Sequence, residues 1–230
     1  MTLVFRAAGE RFHSQLDWLD SWHSFSFSHH HDPAWMGFGP LRVINDDTIA
    51  AGRGFGMHPH RDMEIVTVMV EGQLNHRDSM GHSEVLKAGE VQAMSAGTGV
   101  VHSEMNLGDR PCRLLQIWIE PSDGGFPPAY RQEPFQLQAN WTPLLDPEGR
   151  LGAFAINRPV RLWRARPAAG DRLDLAITSD AMGWLQVIDG QGTISGQPLQ
   201  RGDGLGFPAA RSDTFEAGPE GADVLLFELR

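Results

Sequence analysis

Short apolar runs separated by glycine and proline recur along the whole chain, and their length is typical of β-strands. The runs are rich in Val, Ile, Leu, Phe and Trp and end at turn residues. Helical periodicity is weak except over residues 17–21. Many short strands joined by glycine-rich turns indicate an all-β sandwich or barrel. The predicted strands cover residues 41–44, 64–70, 91–94, 114–119, 183–188 and 224–229.

A turn-rich stretch at 121–129 interrupts the strand pattern, and a polar segment follows it. Residues 70–91 and 187–207 share the same order of predicted elements. Each stretch has a strand, a glycine turn, a second strand, and then a Gly-Asp or Gly-Glu turn that leads into a third strand. We interpret this order as an internal repeat, with shared β-rich composition as the alternative. The expected organisation is an N-terminal barrel over residues 1–130, a connector over 131–144 and a C-terminal barrel over 145–230.

The first half of the chain contains two pairs of side chains that commonly bind metals. His58 and His60 are two residues apart, and so are His102 and Glu104. Residues two apart on a β-strand point to the same face, so two such pairs on neighbouring strands could aim four donors at one point. Imidazole and carboxylate donors suit a first-row divalent metal. We predict one metal site here and none in the second half, because no histidine follows His102.

Charge and cysteine content narrow the class of protein. The 230 residues include 19 basic and 29 acidic side chains, and the net charge of −10 argues against nucleic-acid binding through phosphate attraction. Cys112 is the only cysteine, so an internal disulfide is ruled out and a reducing compartment is favoured. No signal-peptide-like segment is present, and no segment approaches the ~20 apolar residues that span a membrane. We expect a monomeric, soluble, cytoplasmic protein.

The residues around the two pairs form two longer motifs. The stretch 89–106 combines glycines, Ser95 and His102, and five further residues form the motif before it: Gly52, His58, His60, Glu64 and Gly72. These motifs resemble the two conserved motifs of the cupins, which are small β-barrels of jelly-roll type. The second motif departs from the usual pattern, because Ser95 stands where proline is usual and the gap before its histidine is longer.

The resemblance is closer to one cupin branch, the pirins and the bacterial pirin-like quercetin dioxygenases. The C-terminal half is similar only to a degenerate second cupin. His29, His30 and His31 stand where aromatic residues are expected before Asp32 and Pro33, which puts the local pocket wall or lid in doubt. The segments that resemble pirin signatures are 20–27, 37–45, 56–66, 76–81 and 94–104.

The resemblance implies a bicupin, with two jelly-roll-like barrels packed against each other and a metal in the N-terminal barrel. It leaves two candidates for the fourth ligand, because the cupin pattern offers Glu64 and the pirin pattern offers Glu104. Glu64 lies ~13 Å beyond His60 on an extended strand and could ligate only if the strand bulges. Glu104 is the next same-face residue after His102, so we favour Glu104. Glu64 is then expected to be a buried, paired carboxylate or to orient a ligating imidazole.

Three imidazoles and one carboxylate would leave two positions open on a six-coordinate ion. Open positions favour a reactive centre over a metal that only clamps the fold. We favour Fe(II), with Zn, Ni, Cu, Mn and Co as alternatives. Among the other histidines, His76 is expected to make a structural hydrogen bond and His23 to pack in the core, while His13 and His82 are expected at the surface.

By resemblance, the expected activity is that of a quercetin 2,3-dioxygenase, which cleaves a flavonol ring with dioxygen and releases carbon monoxide. A flavonol-like aromatic substrate could use an open position through its 3-hydroxyl, and Glu104, the expected catalytic residue, could take the hydroxyl proton. The alternative is a pirin-like, iron-dependent, redox-sensing regulatory protein that binds a protein partner. A third hypothesis is a cupin with another small-molecule activity, such as an isomerase.

Overall fold

The computed structural model describes residues 2–230, which form β-strands and three short 3₁₀ turns at Ala8–Glu10, Pro33–Trp35 and Arg150–Gly152. In chain order the strands are β1 (Val4–Arg6), β2 (Phe12–Gln15), β3 (Leu19–His23), β4 (Leu41–Ile49), β5 (Arg53–His60), β6 (Glu64–Glu71), β7 (Gln73–Asp78), β8 (Ser83–Lys87), β9 (Glu90–Ser95), β10 (Val100–Asn106), β11 (Cys112–Ile119), β12 (Ala129–Pro134), β13 (Thr142–Leu145), β14 (Arg161–Ala165), β15 (Arg172–Ile177), β16 (Met182–Ile194), β17 (Gln197–Gln200), β18 (Gly204–Phe207) and β19 (Arg211–Leu229).

All six predicted strands lie within strands of the structure, and the all-β class is confirmed. The helical periodicity over residues 17–21 was misleading, because β3 occupies Leu19–His23 and alternates buried with partly exposed side chains. Among residues 2–230, no helix is long and apolar enough to cross a membrane.

The contacts divide the chain into two compact units. The N-terminal unit comprises Phe12–Phe135 and Ile156–Arg158, and the C-terminal unit comprises the described residues up to Arg11 together with Gln136–Ala155 and Pro159–Arg230.

The N-terminal unit contains two antiparallel sheets. A seven-stranded sheet has the order β12-β9-β6-β11-β4-β3-β2, and a four-stranded sheet has the order β5-β10-β7-β8. Hydrogen bonds do not join the two sheets edge to edge, so the expected barrel is an open sandwich. The sandwich encloses polar side chains as well as apolar ones, since Thr67, Gln92, His102 and Asn106 are completely buried.

The C-terminal unit is built on one eight-stranded sheet. Its main order is β1-β18-β16-β19-β14-β13, with β15 added to β19 and β17 added to β16. Strand β19 pairs with β15 along its first half and with β14 along its second half. Large apolar side chains fill the interior of this unit, among them Leu185, Phe207, Phe215 and Leu226.

Glycines with matching backbone angles support the internal repeat. Gly72, after β6, has φ 74°, and Gly190, within β16, has φ 72°. Gly89, before β9, has φ 87°, and Gly202, before β18, has φ 88°. L-residues with a side chain rarely adopt this left-handed region, so both units need glycine at the same two turns.

Gly190→Ala is expected to destabilise the protein by about 3 kcal/mol, because left-handed strain of ~1–2 kcal/mol is joined by overpacking of similar size. A Cβ at Gly190 would lie 2.3 Å from the Gly221 carbonyl oxygen. Gly196→Ala is the matched control, since Gly196 has φ 77° but no atom within 4 Å of an added Cβ. The control is expected to lose only about 1 kcal/mol in urea unfolding. Equal losses in the two variants would contradict the packing account of Gly190.

Candidate metal centre

Strands β5 and β10 place three histidines on one inner face of the N-terminal unit. His58 lies directly opposite His102, and His60 lies opposite Val100. The three imidazole centroids are 4.4, 4.8 and 4.9 Å apart. One nitrogen from each ring lies within 4.8 Å of the other two. His58, His60 and His102 therefore surround one point with a spacing close to that of metal ligands.

Glu104 lies on the same face of β10 as His102. Pairing with β7 is regular, with His102 opposite Asp78 and Glu104 opposite His76. Pairing with β5 shifts between these two positions, because β5 has one extra residue there. An oxygen of Glu104, a nitrogen of His102 and a nitrogen of His76 all lie within 4.8 Å of one another. Glu104 thus belongs to a second donor group that shares His102 with the first.

Two buried side chains of the larger sheet orient the Glu104 carboxylate. Gln116 Nε2 donates to Glu104 Oε2 at 2.8 Å, and the Thr67 hydroxyl lies 3.4 Å from Glu104 Oε1. The same hydroxyl donates to Gln116 Oε1 at 3.0 Å. Thr67 and Gln116 were not predicted as site residues, although Thr67 interrupts an apolar run in β6 and Gln116 interrupts one in β11. A polar residue inside an apolar strand is the signal that would have identified them.

Glu64 has a different set of partners. It is 1% exposed, and its carboxylate accepts hydrogen bonds from Ser95 Oγ at 2.5 Å and from Asn157 Nδ2 at 2.9 Å. Among residues 2–230, Glu64 belongs to neither donor group. The structure therefore places Glu64 as a buried, hydrogen-bonded carboxylate.

The electrostatic state of the histidines suits a cation. Burial lowers the pKa of His102 to about 3, with further lowering by His58 and His76. Burial also lowers the pKa of His60 to about 4, followed by the effects of His102 and His58. These imidazoles are neutral at ordinary pH, which is the form that binds metals.

The hydrogen bonds of these histidines also fit a bound ion. His102 is completely buried, and neither of its ring nitrogens has a hydrogen-bond partner within the described chain. His58 Nδ1 lies 2.7 Å from the Gly56 carbonyl oxygen, which leaves its other nitrogen free to bind a metal. A metal ion between the rings would satisfy one of the two buried His102 nitrogens that otherwise lack a partner.

His76 lies closer to the candidate centre than its expected structural role requires. His76 Nε2 does make the expected structural hydrogen bond, with Asp78 Oδ2 at 3.1 Å, but its ring also contributes to the second donor group. His23 is buried as expected, and its Nδ1 lies 2.8 Å from Asn45 Oδ1. In the described part of the chain, His29, His30 and His31 belong to neither donor group.

Apolar residues occupy most of the corresponding positions in the C-terminal unit. The correspondence follows from the matched glycine turns and from equivalent strand pairs, such as His58 with His102 and Leu175 with Asp213. Asp213, which corresponds to His102, forms an ion pair with Arg211. The other correspondences are His58 with Leu175, His60 with Ile177, Thr67 with Leu185, His76 with Ile194, Gln92 with Leu205, Glu104 with Phe215 and Gln116 with Leu226.

A cluster of imidazole and carboxylate donors inside the first of two related β-units defines the class as a two-domain cupin with one candidate metal centre. Comparison with known families agrees with this class. Residues 4–119 match the family model described as Pirin, and residues 144–229 match the model described as Quercetinase C-terminal cupin domain. The chain belongs to the pirin family.

Relatives and solved structures extend the match over the whole chain. Quercetin 2,3-dioxygenase from Escherichia coli K12 is 42% identical, with 99% of this chain and 98% of that protein covered. A putative quercetin 2,3-dioxygenase from Pasteurella multocida is 40% identical, with 94% of each covered. The crystal structure of the bacterial pirin YhhW from Escherichia coli in complex with nickel(II) has a TM-score of 0.95 and 42% identity, with 99% of each chain covered.

We predict that Glu104→Gln weakens metal binding at least about tenfold more than Glu64→Gln, because only the first change alters a member of the donor cluster. The measurement is metal content after dialysis, together with competition against a chelator. Glu64→Gln is the matched control, since it removes the charge of another buried carboxylate. Retention of metal by Glu104→Gln and its loss from Glu64→Gln would assign the fourth donor to Glu64.

Metal-free protein is expected to lose stability as the pH falls from about 7 to about 4. The pKa values of His60 and His102 are lower in the folded state than the ordinary value of 6.5, so the unfolded chain binds more protons over this range. Asp47 acts in the opposite direction, because burial raises its pKa to about 7. Urea unfolding of wild type and His102→Leu at several pH values separates these effects. His102→Leu should show a smaller loss on acidification, and an unchanged pH slope would contradict the assignment.

Proposed function

We propose that this protein is a metal-dependent quercetin 2,3-dioxygenase that cleaves a flavonol with dioxygen and releases carbon monoxide. The observation that carries the proposal is a pair of donor groups that share the buried His102, in a chain similar over its full length to a quercetin 2,3-dioxygenase. One group adds His58 and His60 to His102, and the other adds Glu104 and His76. The proposed metal ligands are His58, His60, His102 and Glu104. The metal supplies a Lewis acid that favours the deprotonated form of a flavonol hydroxyl and a site for dioxygen chemistry.

Glu104 is the proposed catalytic residue, because one of its carboxylate oxygens lies within 4.8 Å of a nitrogen of His102. Its role is to take the proton of the flavonol 3-hydroxyl. Gln116 fixes its orientation through a hydrogen bond, and the Thr67 hydroxyl holds Gln116 in place. Removal of the hydroxyl proton makes the flavonol ring electron-rich, which prepares it to react with dioxygen.

Aromatic side chains next to the cluster supply a surface for a flat substrate. The Trp118 indole packs against the His60 ring edge to face, with 4.9 Å between centroids. Phe27 packs in the same manner on Trp118, at 5.4 Å. Aromatic rings beside a few polar groups are typical of small-molecule sites.

We propose Fe(II) as the native ion, with nickel as the principal alternative because a nickel(II) complex is known for a bacterial pirin. Imidazole and carboxylate donors accept several first-row ions, so the metal is decided by measurement rather than by the donor set. Metal analysis of protein purified without added metal, followed by reconstitution with each ion, tests the choice. A monomeric state and a cytoplasmic location remain predictions.

Metal-loaded protein is expected to consume quercetin only in the presence of dioxygen. The loss is followed at the visible absorption band of quercetin, in aerobic and anaerobic samples, with detection of carbon monoxide. His58→Ala and His102→Ala should abolish turnover through loss of metal. Glu104→Gln should lower the rate by about 10²–10⁴-fold in samples matched for metal content, because a proton acceptor typically contributes that factor.

Two controls make this experiment decisive. Free metal ion at the same concentration measures uncatalysed oxidation, and Glu64→Gln tests a buried carboxylate outside the cluster. If fully metallated protein consumes quercetin no faster than free metal ion does, the regulatory hypothesis replaces the dioxygenase proposal. Loss of quercetin without release of carbon monoxide would show that the protein catalyses an oxidation of another kind.

A further inference from the structure

His76 presents an unused acceptor beside the donor cluster. The side chains of His76 and Asp78 are both completely buried, and His76 lies opposite Glu104 on the neighbouring strand. His76 Nε2 is 3.1 Å from Asp78 Oδ2. His76 Nδ1 is also buried, and it has no hydrogen-bond partner in the part of the chain that the structure describes.

Asp78 determines which nitrogen of His76 carries the proton. Asp78 Oδ2 lies 3.1 Å from His76 Nε2 and 2.9 Å from His82 Nδ1, so Asp78 is the shared acceptor of two imidazoles. Its Oδ1 accepts from the backbone N–H groups of Met80 and His82, at 2.9 and 3.0 Å. His76 must therefore donate from Nε2, which leaves a lone pair on Nδ1.

Tyr130 links His76 to a second unpaired group. Its ring stacks on His76 with 4.6 Å between centroids and an angle of 27°. Its hydroxyl lies 3.3 Å from Gln92 Oε1. Gln92 is completely buried, and its Nε2 has no hydrogen-bond partner among residues 2–230.

Gln92 also belongs to the inner face around the cluster. It lies opposite Thr67, whose hydroxyl contacts Glu104. The ring of Tyr130 therefore packs on the residue with the unpaired acceptor, His76 Nδ1. Its hydroxyl lies near the side chain with the unpaired donor, Gln92 Nε2. An unpaired buried donor or acceptor costs about 1–3 kcal/mol, so a ligand that pairs both atoms gains affinity.

We propose that His76 and Gln92 recognise a hydroxyl group of the bound aromatic ligand. The hydroxyl donates to His76 Nδ1 and accepts from Gln92 Nε2, which uses both functions of one O–H group. His76 and Gln92 are positioning residues, and they select ligands that carry a hydroxyl at this point over ligands that lack it. The inference rests on the proposed function, which supplies flavonols as the ligand class.

The test is the affinity of full-length, metal-loaded protein for quercetin and for flavonols that each lack one of its hydroxyls. Binding is measured without dioxygen by calorimetry, so that turnover does not enter the result. Wild type is expected to bind one of the deoxy flavonols about tenfold more weakly than quercetin, as the loss of a hydrogen bond to buried groups predicts.

Two variants should remove this preference by different routes. In Asp78→Asn the amide can still accept the two backbone hydrogen bonds through its oxygen, while its N–H₂ faces His76 and moves the imidazole proton to Nδ1. Gln92→Leu removes the donor and keeps an apolar side chain of similar length. Each variant should bind quercetin and the discriminated deoxy flavonol within about twofold of each other, while the metal content stays at the wild-type value.

His82→Gln is the matched control. It removes the partly exposed imidazole that shares Asp78, at 2.9 Å, but leaves the bond between Asp78 and His76. It should keep the wild-type preference. Equal weakening of all flavonols in Asp78→Asn and Gln92→Leu would indicate a merely structural role and overturn the inference, as would a wild type that does not distinguish the deoxy flavonols. If wild type prefers quercetin over the deoxy flavonol but shows no oxygen-dependent turnover, the proposed function is refuted and this inference still stands.

Discussion

The burial of unpaired donor atoms is the physical constraint on which the candidate centre depends. His102 is completely buried with two ring nitrogens that find no hydrogen-bond partner among the described residues. Each such group costs about 1–3 kcal/mol unless an ion or ligand satisfies it. The neighbouring side chains leave these nitrogens unpaired, because Gln116 bonds to Glu104, Thr67 bonds to Gln116 and Asp78 bonds to His76. These buried, unpaired atoms therefore favour the binding of a cation and of a ligand beside it.

The two units show that the fold alone does not create this capacity. Their glycine turns have nearly the same backbone angles, and their strands pair in corresponding registers. Yet Leu175, Ile177 and Phe215 occupy positions that correspond to three of the four proposed metal ligands in the N-terminal unit. The C-terminal interior is a packed apolar cluster, whose stability comes from burial of apolar area rather than from a bound ion. One architecture thus supports a polar centre in one unit and an apolar core in the other.

The sequence predicted the strands and the clustering of His58, His60 and His102 well, because both depend on local spacing along a strand. The helical periodicity at 17–21 failed because five residues are too few to separate a period of 3.6 from a period of two. The open sandwich could not be distinguished from a closed barrel, since closure depends on pairing between distant edges. The orienting partners of Glu104 depend on which strands face each other across the sandwich, and sequence spacing does not contain that information.

Anomalous X-ray diffraction from crystals of the protein loaded with its native metal tests the central claim most directly. The account predicts one anomalous peak per chain, about 2.0–2.3 Å from donor atoms of His58, His60, His102 and Glu104, with the edge energy identifying the element. Glu64 should keep its hydrogen bonds to Ser95 and Asn157. A peak coordinated by Glu64 in place of Glu104, or a peak within the C-terminal unit instead, would contradict the account.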